Sequence, residues 1–280
     1  MKKILIPTDY SDNASNALSY AFQLFKGTDV IFHILHVSHP MVDIPSASIE
    51  YFEPIIYQDQ STNDALIKRQ LISVLESNKM VESNVKYEII HEIGFASDII
   101  ISKSKELNCD LIIMGTKGAS GISQLFLGSV TADVIRKSEI SVLAIPADYT
   151  FEKLEKIVFA TDYEGISNKK TLQPLFDLAA RFDAKIMMFH AIEAKEPIAA
   201  YIEELQVWKA EKNFHHVRHS NSIASCENIA DGILDFAGEN EADMIALIPH
   251  TYTFFGKLLH KSVSKQIAFE SKTPILALHA

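Results

Sequence analysis

The sequence predicts an α/β protein of two tandem domains, each a five-stranded parallel sheet with helices on both faces. Three observations carry this: the length, an internal repeat spanning the whole chain, and a regular alternation of short aliphatic runs with stretches of helical period. At 280 residues the chain exceeds the usual single-domain size of roughly 100 to 200 residues. The repeat settles the division more firmly. KKILIPTDYSDNASNAL near the start is echoed by EKIVFATDYEGISNKKTL from Glu155, which lays Thr8-Asp9-Tyr10 over Thr161-Asp162-Tyr163. DVIFHILHV from Asp29 answers AKIMMFHAI from Ala184, and SVTADVIRKSEISVLAIP from Ser129 lies over SVSKQIAFESKTPILALH from Ser262 at an offset of 133. The boundary falls near Asp148 to Lys153, giving domains 1–147 and 153–280.

Within each copy, runs rich in Ile, Val and Leu alternate with helical periodicity, the pattern of βαβ units. In the first copy, strands are expected at about Lys3 to Pro7, Val30 to Val37, Val85 to His91, Asp110 to Gly115 and Val142 to Pro146. Helices fill the gaps. From Asn13 to Phe25, Ala14, Ala17, Leu18, Ala21, Phe22 and Phe25 share one face, as a helix lying on a sheet requires, and Ser11 or Asp12 is the expected N-cap. The second copy is about 20 residues shorter, and the loss falls between its second and penultimate strands. In the first copy that region reads SHPMVDIPSASIEYFEPIIYQDQ, read as mostly loop: either a surface loop packed by Tyr51, Phe52 and Tyr57, or a lid or subunit contact.

Composition narrows the function classes. Hydrophobic residues make up 48% and charged residues 22% of the chain, which is ordinary globular usage. The net charge is −10, with 12 basic against 17 acidic residues up to Pro146 and 14 against 19 afterwards. A chain so evenly acidic is unsuited to gripping phosphodiester backbone, so no nucleic-acid partner is expected. Pro7 and Asp9 interrupt the first apolar run, so no signal peptide is expected. No apolar stretch approaches the roughly 20 residues of a membrane span, which points to a cytoplasmic protein with no membrane partner. Cys109 and Cys226 form no CxxC pair and read as buried reduced thiols.

The most informative segment follows the fourth strand: MGTKGASGISQLFLGSVTADVIRKS. Its spacing is Gly115-x2-Gly118-x9-Gly128-Ser129. Ligands of parallel α/β sheets bind beyond the carboxyl ends of the strands, and this loop leaves such an end. Glycine lets backbone amides approach phosphate oxygens. Ser129 adds a hydroxyl near the start of a helix over Val130 to Lys137, whose dipole favours an anion. The same glycines could instead form a tight turn, and Asp9 could start a turn or cap a helix rather than touch a ligand.

MGTKGASGISQLFLGSVTADVIRKSEISVLAIP and IPTDYSDNA together resemble the universal stress protein family, in particular its ATP-binding branch, and the resemblance extends over both halves. It implies a Rossmann-like, adenine nucleotide alpha hydrolase-like fold for each domain, ATP as ligand with or without Mg2+, and a role as a stress-response regulator or sensor. It implies site residues in the first copy: Pro7, Thr8 and Asp9 at the ribose and adenine; Val37, whose backbone reads adenine; Met114 and Gly115 beside the ribose; Gly118, Gly128, Ser129 and Val130 around the phosphates. Single-domain members pair through their last strands, so SVLAIP and PILALH are expected to pair inside this chain as a pseudo-dimer, with a homodimer of the whole chain in addition.

Aligned at Asp110 over Asp243, the second copy reads MIALIPHTYTFFGKLLHKSVSKQ. Ile248 stands at Gly115, Thr251 at Gly118 and Lys261 at Gly128, so the phosphate pose is expected to be blocked there; Asp162 and Ser262 persist. HHVRH from His215 lacks the carboxylate or Cys spacing of a metal site and reads as surface or strand histidines. Phe254, Phe255 and Trp208 read as packing. Neither a Walker GxxxxGK[ST] loop nor an SGGxDS-type loop is present, and no base or metal-binding acid is evident, so no enzyme is expected, slow ATP hydrolysis aside. A weak ATPase, or a scaffold whose second domain takes another ligand, are the alternatives.

Overall fold

A computed structural model describes residues 1–39, 52–116, 128–161, 169–193, 214, 216–249 and 273–279, with only the backbone of 52–61 and 193. The first half runs β1 (Lys2–Thr8), α1 (Asp12–Leu24), β2 (Val30–Ser38), α2 (Phe52–Ser77), β3 (Lys86–Ile93), α3 (Ala96–Glu106), β4 (Leu111–Gly115), α4 (Ser129–Lys137) and β5 (Val142–Ile145). The second runs β6 (Lys156–Ala160), α5 (Lys169–Phe182), β7 (Lys185–Glu193), β8 (His219–Cys226), α6 (Ile229–Glu239), β9 (Met244–Leu247) and β10 (Ile275–Ala277). All five strands expected in the first half are found, with ends moved by a residue or two. Ser11 is the N-cap of α1, its side chain accepting from the Ala14 N–H.

The segment expected to be mostly loop is corrected at its end, because α2 begins at Phe52 and takes in EPIIYQDQ. Pro54 is compatible with the helix. It stands in the first turn, where backbone N–H groups have no intrahelical acceptor and a missing one costs nothing. Further along, Ile67, Leu71, Val74 and Leu75 are buried against the sheet, so helical periodicity carries this element. Residues 40–51 of that segment lie outside the described residues.

The strands form one ten-stranded sheet in the order β3-β2-β1-β4-β5-β10-β9-β6-β7-β8. Each half is parallel throughout, and the halves meet where β5 and β10 pair antiparallel. Leu143 pairs with Leu276, Val142 with Ala277 and Ala144 with Ile275. Leu276 is itself Leu143 carried forward by the repeat offset of 133, so the pairing is isologous about a pseudo-two-fold axis at this residue pair. The expected internal pseudo-dimer is therefore present, and it covers two apolar edges that would otherwise template aggregation.

Side-chain alternation divides the core. Ile4, Ile6, Ile113 and Leu143 pack under α1 and α2, continuous with the α5 side of the second half. Leu5, Leu35, Ile112 and Met114 face α3 and α4, continuous with α6. In the first half the strand order reverses between β1 and β4, which is the switch point where such sheets open a crevice at their carboxyl ends.

Candidate functional site

A cleft opens at that switch point, lined by Pro7, Thr8, Asp9, Ala14, Leu35, Val37, Ala96, Ile100, Met114, Gly115, Gly128, Ser129, Val130 and Thr131. Nine of the ten residues singled out in the sequence therefore come together here. The tenth, Gly118, lies outside the described residues, as do Lys117 and the rest of 117–127. The enclosed volume is ≈ 150 Å3, the scale of a nucleobase rather than a whole nucleotide.

Each wall has a local cause. After β1 the chain turns sharply through Tyr10, which takes a left-handed φ of 65°. The turn is fixed by side chains: the Tyr10 N–H donates to Thr8 Oγ1 at 3.1 Å, and the Ser11 hydroxyl donates to Asp9 Oδ1 at 2.6 Å. The exposed Asp9 carboxylate is thereby aimed from the turn at the cleft mouth. Tyr10 stacks on His36 at 4.4 Å between ring centroids, and His36 Nδ1 lies 3.0 Å from the Thr8 carbonyl. Because a carbonyl can only accept, Nδ1 carries the proton.

The opposite wall is the start of α4. Gly128 is its N-cap and supplies no side-chain hydrogen bond. Its own N–H is committed to the Thr116 carbonyl at 2.7 Å, so the amides that the helix presents begin at Ser129. Those first-turn N–H groups, with the helix dipole behind them, form an anion-attracting end that needs no basic side chain. Thr131, buried, donates its hydroxyl to the Gly115 carbonyl at 2.8 Å and so locks α4 to the end of β4. Leu35, Val37, Ala96, Ile100 and Met114 give the cleft an apolar wall.

Gly115 has a second duty that the sequence did not disclose. A Cβ there would lie 2.2 Å from Asn13 Oδ1 and 2.7 Å from its Cγ. The glycine lets α1 approach β4, and the buried Asn13 reaches past it to donate to the Ile145 carbonyl at 3.3 Å. Five lining residues were missed in the sequence: Ala14, Leu35, Ala96, Ile100 and Thr131. Leu35 was findable as the same-face neighbour of Val37 on a strand, and Ile100 lies one helical turn from Ala96.

In the second half, Ile248 follows β9 and is partly buried against the core, so a side chain occupies the level at which Gly115 leaves backbone bare. Asp162, Thr251, Lys261 and Ser262 lie outside the described residues, with Trp208, His215, Phe254 and Phe255. Of the HHVRH histidines, His216 is exposed and His219 begins β8. Among the described residues no group of three His, Cys, Asp or Glu could hold a metal ion, and no helix is long and apolar enough to cross a membrane. Both cysteines are free; Cys109 is buried, which pushes its thiol up to about 11, whereas Cys226 is only half-buried, a correction to the reading of two buried thiols.

Fold and cleft define a tandem, doubly wound α/β protein with a ligand crevice at the switch point of its first half. The profile of the universal stress protein family matches residues 1–146 and again 153–279, and the chain belongs to that family. Universal stress protein YxiE of Bacillus subtilis is 31% identical over 147 residues, 51% of this chain and 97% of its own. Universal stress protein MJ0577 of Methanocaldococcus jannaschii is 32% identical over 159 residues, again 51% of this chain and 94% of its own. The crystal structure of a universal stress protein from Archaeoglobus fulgidus superposes with a TM-score of 0.68 over 99% of this chain and 96% of its own, at 19% identity, a likeness of fold.

Proposed function

We propose that the first half binds one adenine nucleotide, ATP in the first instance, and that the protein works as a nucleotide-responsive regulator in stress rather than as an enzyme. The observation that carries this is the joining of an apolar crevice of nucleobase scale to the uncapped amino end of α4. The base would lie against Leu35, Val37, Ile100 and Met114, the ribose hydroxyls near Asp9, and the phosphates over the amides from Ser129 to Thr131. Mg2+, if carried, would arrive with the phosphates. The single carboxylate of the described lining, Asp9, sits on the ribose side, which supports holding over turnover.

Mass spectrometry of the protein as purified, after denaturation, and calorimetric titration with ATP test the reading together. The expected result is one nucleotide per chain, with affinity lowered at least ~10-fold when Gly118 and Gly128 are both replaced by Leu, since two side chains then stand where phosphate oxygens must approach amides. Two nucleotides per chain, or an affinity that ignores the double substitution, would put the site elsewhere. Phosphate release above background that is lost in Asp9→Ala would replace the regulator by a hydrolase.

A further inference from the structure

The pseudo-two-fold axis creates two equivalent grooves between the halves, and among the described residues only one is filled. In the filled groove the connection between domains, residues 147–155, runs across α1 to the lower ends of β6 and β9. Asn16 Nδ2 donates to the Pro146 and Tyr149 carbonyls at 3.0 and 2.8 Å. Tyr149 and Phe151 pack on Tyr20, with centroids 6.0 and 5.2 Å apart, and Phe151 reaches Phe182 of the other half at 5.7 Å. The Tyr149 hydroxyl donates to the Asp243 carbonyl at 3.1 Å, and Leu154 is fully buried. A linker of irregular backbone, turned at Ala147 and Asp148 and bearing aromatic side chains two residues apart, thus seals one junction.

Carrying these residues through the repeat identifies the other groove. Helix α5 lies over α1 at an offset of 154, with Leu172 over Leu18, Leu175 over Ala21 and Phe176 over Phe22; Lys170 then takes the place of Asn16, and Pro174 that of Tyr20. Asp110 takes the place of Asp243. These three residues line an open cleft of ≈ 900 Å3 together with Phe25, Leu178 and Ala180. Its floor is apolar, its rim carries both signs of charge, and the Lys2–Asp177 ion pair bridges the two halves across it.

We propose that this second groove is a docking site for a short peptide segment of a partner protein bearing two aromatic side chains two residues apart. The occupied mate shows which chemistry such a groove accepts: aromatic rings set edge-on or tilted against the central helix at position 20, beside backbone carbonyls turned towards position 16. The flat ring of Pro174 replaces Tyr20 as the surface beneath the aromatics.

The chain's own linker supplies the probe. A fluorescein-labelled peptide of sequence ADYTFEKLE, residues 147–155, is titrated with the full-length protein and followed by anisotropy. The tethered linker excludes the free peptide from the filled groove, because its effective concentration is far higher. The expected result is saturable binding below about 1 mM, weakened about 10-fold or more when both aromatics of the peptide become Ser. Ala180→Trp, at an exposed helical position that lines only the open groove, should abolish binding while leaving the thermal midpoint unchanged. Pro174→Asp, which puts a charge on the surface beneath the aromatics, should weaken binding without adding bulk, and it decides the matter if the tryptophan variant unfolds. No saturation, indifference to the loss of the aromatics, or equal binding by the groove variants overturns the proposal.

Discussion

At the lower ends of their strands the two halves share their bracing bonds, whereas at the upper ends they part. The Lys3 N–H donates to Asp110 Oδ2 at 2.7 Å and Lys3 Nζ donates to the Leu107 carbonyl at 2.8 Å. In the second half the Lys156 N–H donates to Asp243 Oδ2 at 2.9 Å and Lys156 Nζ to the Asn240 carbonyl at 2.9 Å. Even the left-handed residues that end α3 and α6 correspond, Asn108 at φ 52° and Glu241 at φ 51°. At the upper ends a histidine still meets the carbonyl of the first-strand threonine, His190 Nδ1 lying 2.7 Å from the Thr161 carbonyl, but Gly115 has become Ile248. Scaffold contacts are held where the fold is braced, and replacements collect where the fold binds.

The largest effect should separate the two junctions. Tyr20 is fully buried beneath the linker aromatics, so Tyr20→Ala leaves a cavity and costs about 3 to 4 kcal/mol. Its counterpart Pro174 faces the open groove, and Pro174→Ala should stay within about 1 kcal/mol. Urea unfolding of both variants measures the contrast. Equal costs would mean that the linker does not seal its groove.

Next comes the upper end of β4. Gly115→Ile, which writes the second half's residue into the first, drives a side chain into Asn13 and should cost about 2 to 3 kcal/mol while lowering nucleotide affinity. Adding Asn13→Ala removes the nearest colliding atoms, so the double variant should recover part of the stability, a non-additivity a mutant cycle reads directly. Strict additivity would show that the helix had moved rather than the side chain.

A third contrast lies in acid. The second half places His279 where the first has Pro146, and burial holds this imidazole down from 6.5 to about 4. The unfolded chain therefore takes up a proton near pH 6.5 that the folded chain refuses until about pH 4. The stability tied to a neutral His279 is complete above the higher value and is lost as pH falls towards the lower one, by about 3 kcal/mol at most. His279→Phe should flatten that part of the unfolding profile; an unchanged slope between pH 6.5 and 4 would remove His279 from the account.

These contrasts were unequally legible in the sequence. Strands and the domain boundary follow from periodicity and the repeat, because alternation and burial are properties of short segments, whereas the pairing of SVLAIP with PILALH came with the family resemblance. Nine cleft residues were named through the family resemblance that IPTDYSDNA and the glycine loop carry, rather than from spacing alone. Thr131 and Ala14 were missed because they reach the cleft through the packing of helices on the sheet. Gly115 was read for its freedom near a ligand, while its close contact is with Asn13, more than a hundred residues away in sequence. The start of α2 at Phe52 was not legible, since the proline at 54 does not by itself reveal whether it opens a helix.

The smallest effect distinguishes the junctions by the physics that closes them. Lys2 and Asp177 span the open groove with side chains about 44% and 33% exposed, so their attraction is screened and offset by side-chain ordering. Asp177→Asn should cost no more than about 0.5 to 1 kcal/mol in dilute buffer and almost nothing in about 1 M salt, where the Debye length falls to about 3 Å. Across the filled groove, Tyr149→Phe removes a neutral hydrogen bond to the Asp243 carbonyl and should cost about 1 kcal/mol at either ionic strength. Unfolding at the two salt concentrations therefore sorts one junction as ionic and the other as apolar and hydrogen-bonded. A salt-independent loss at Asp177 would mean that the open groove is already held together by packing.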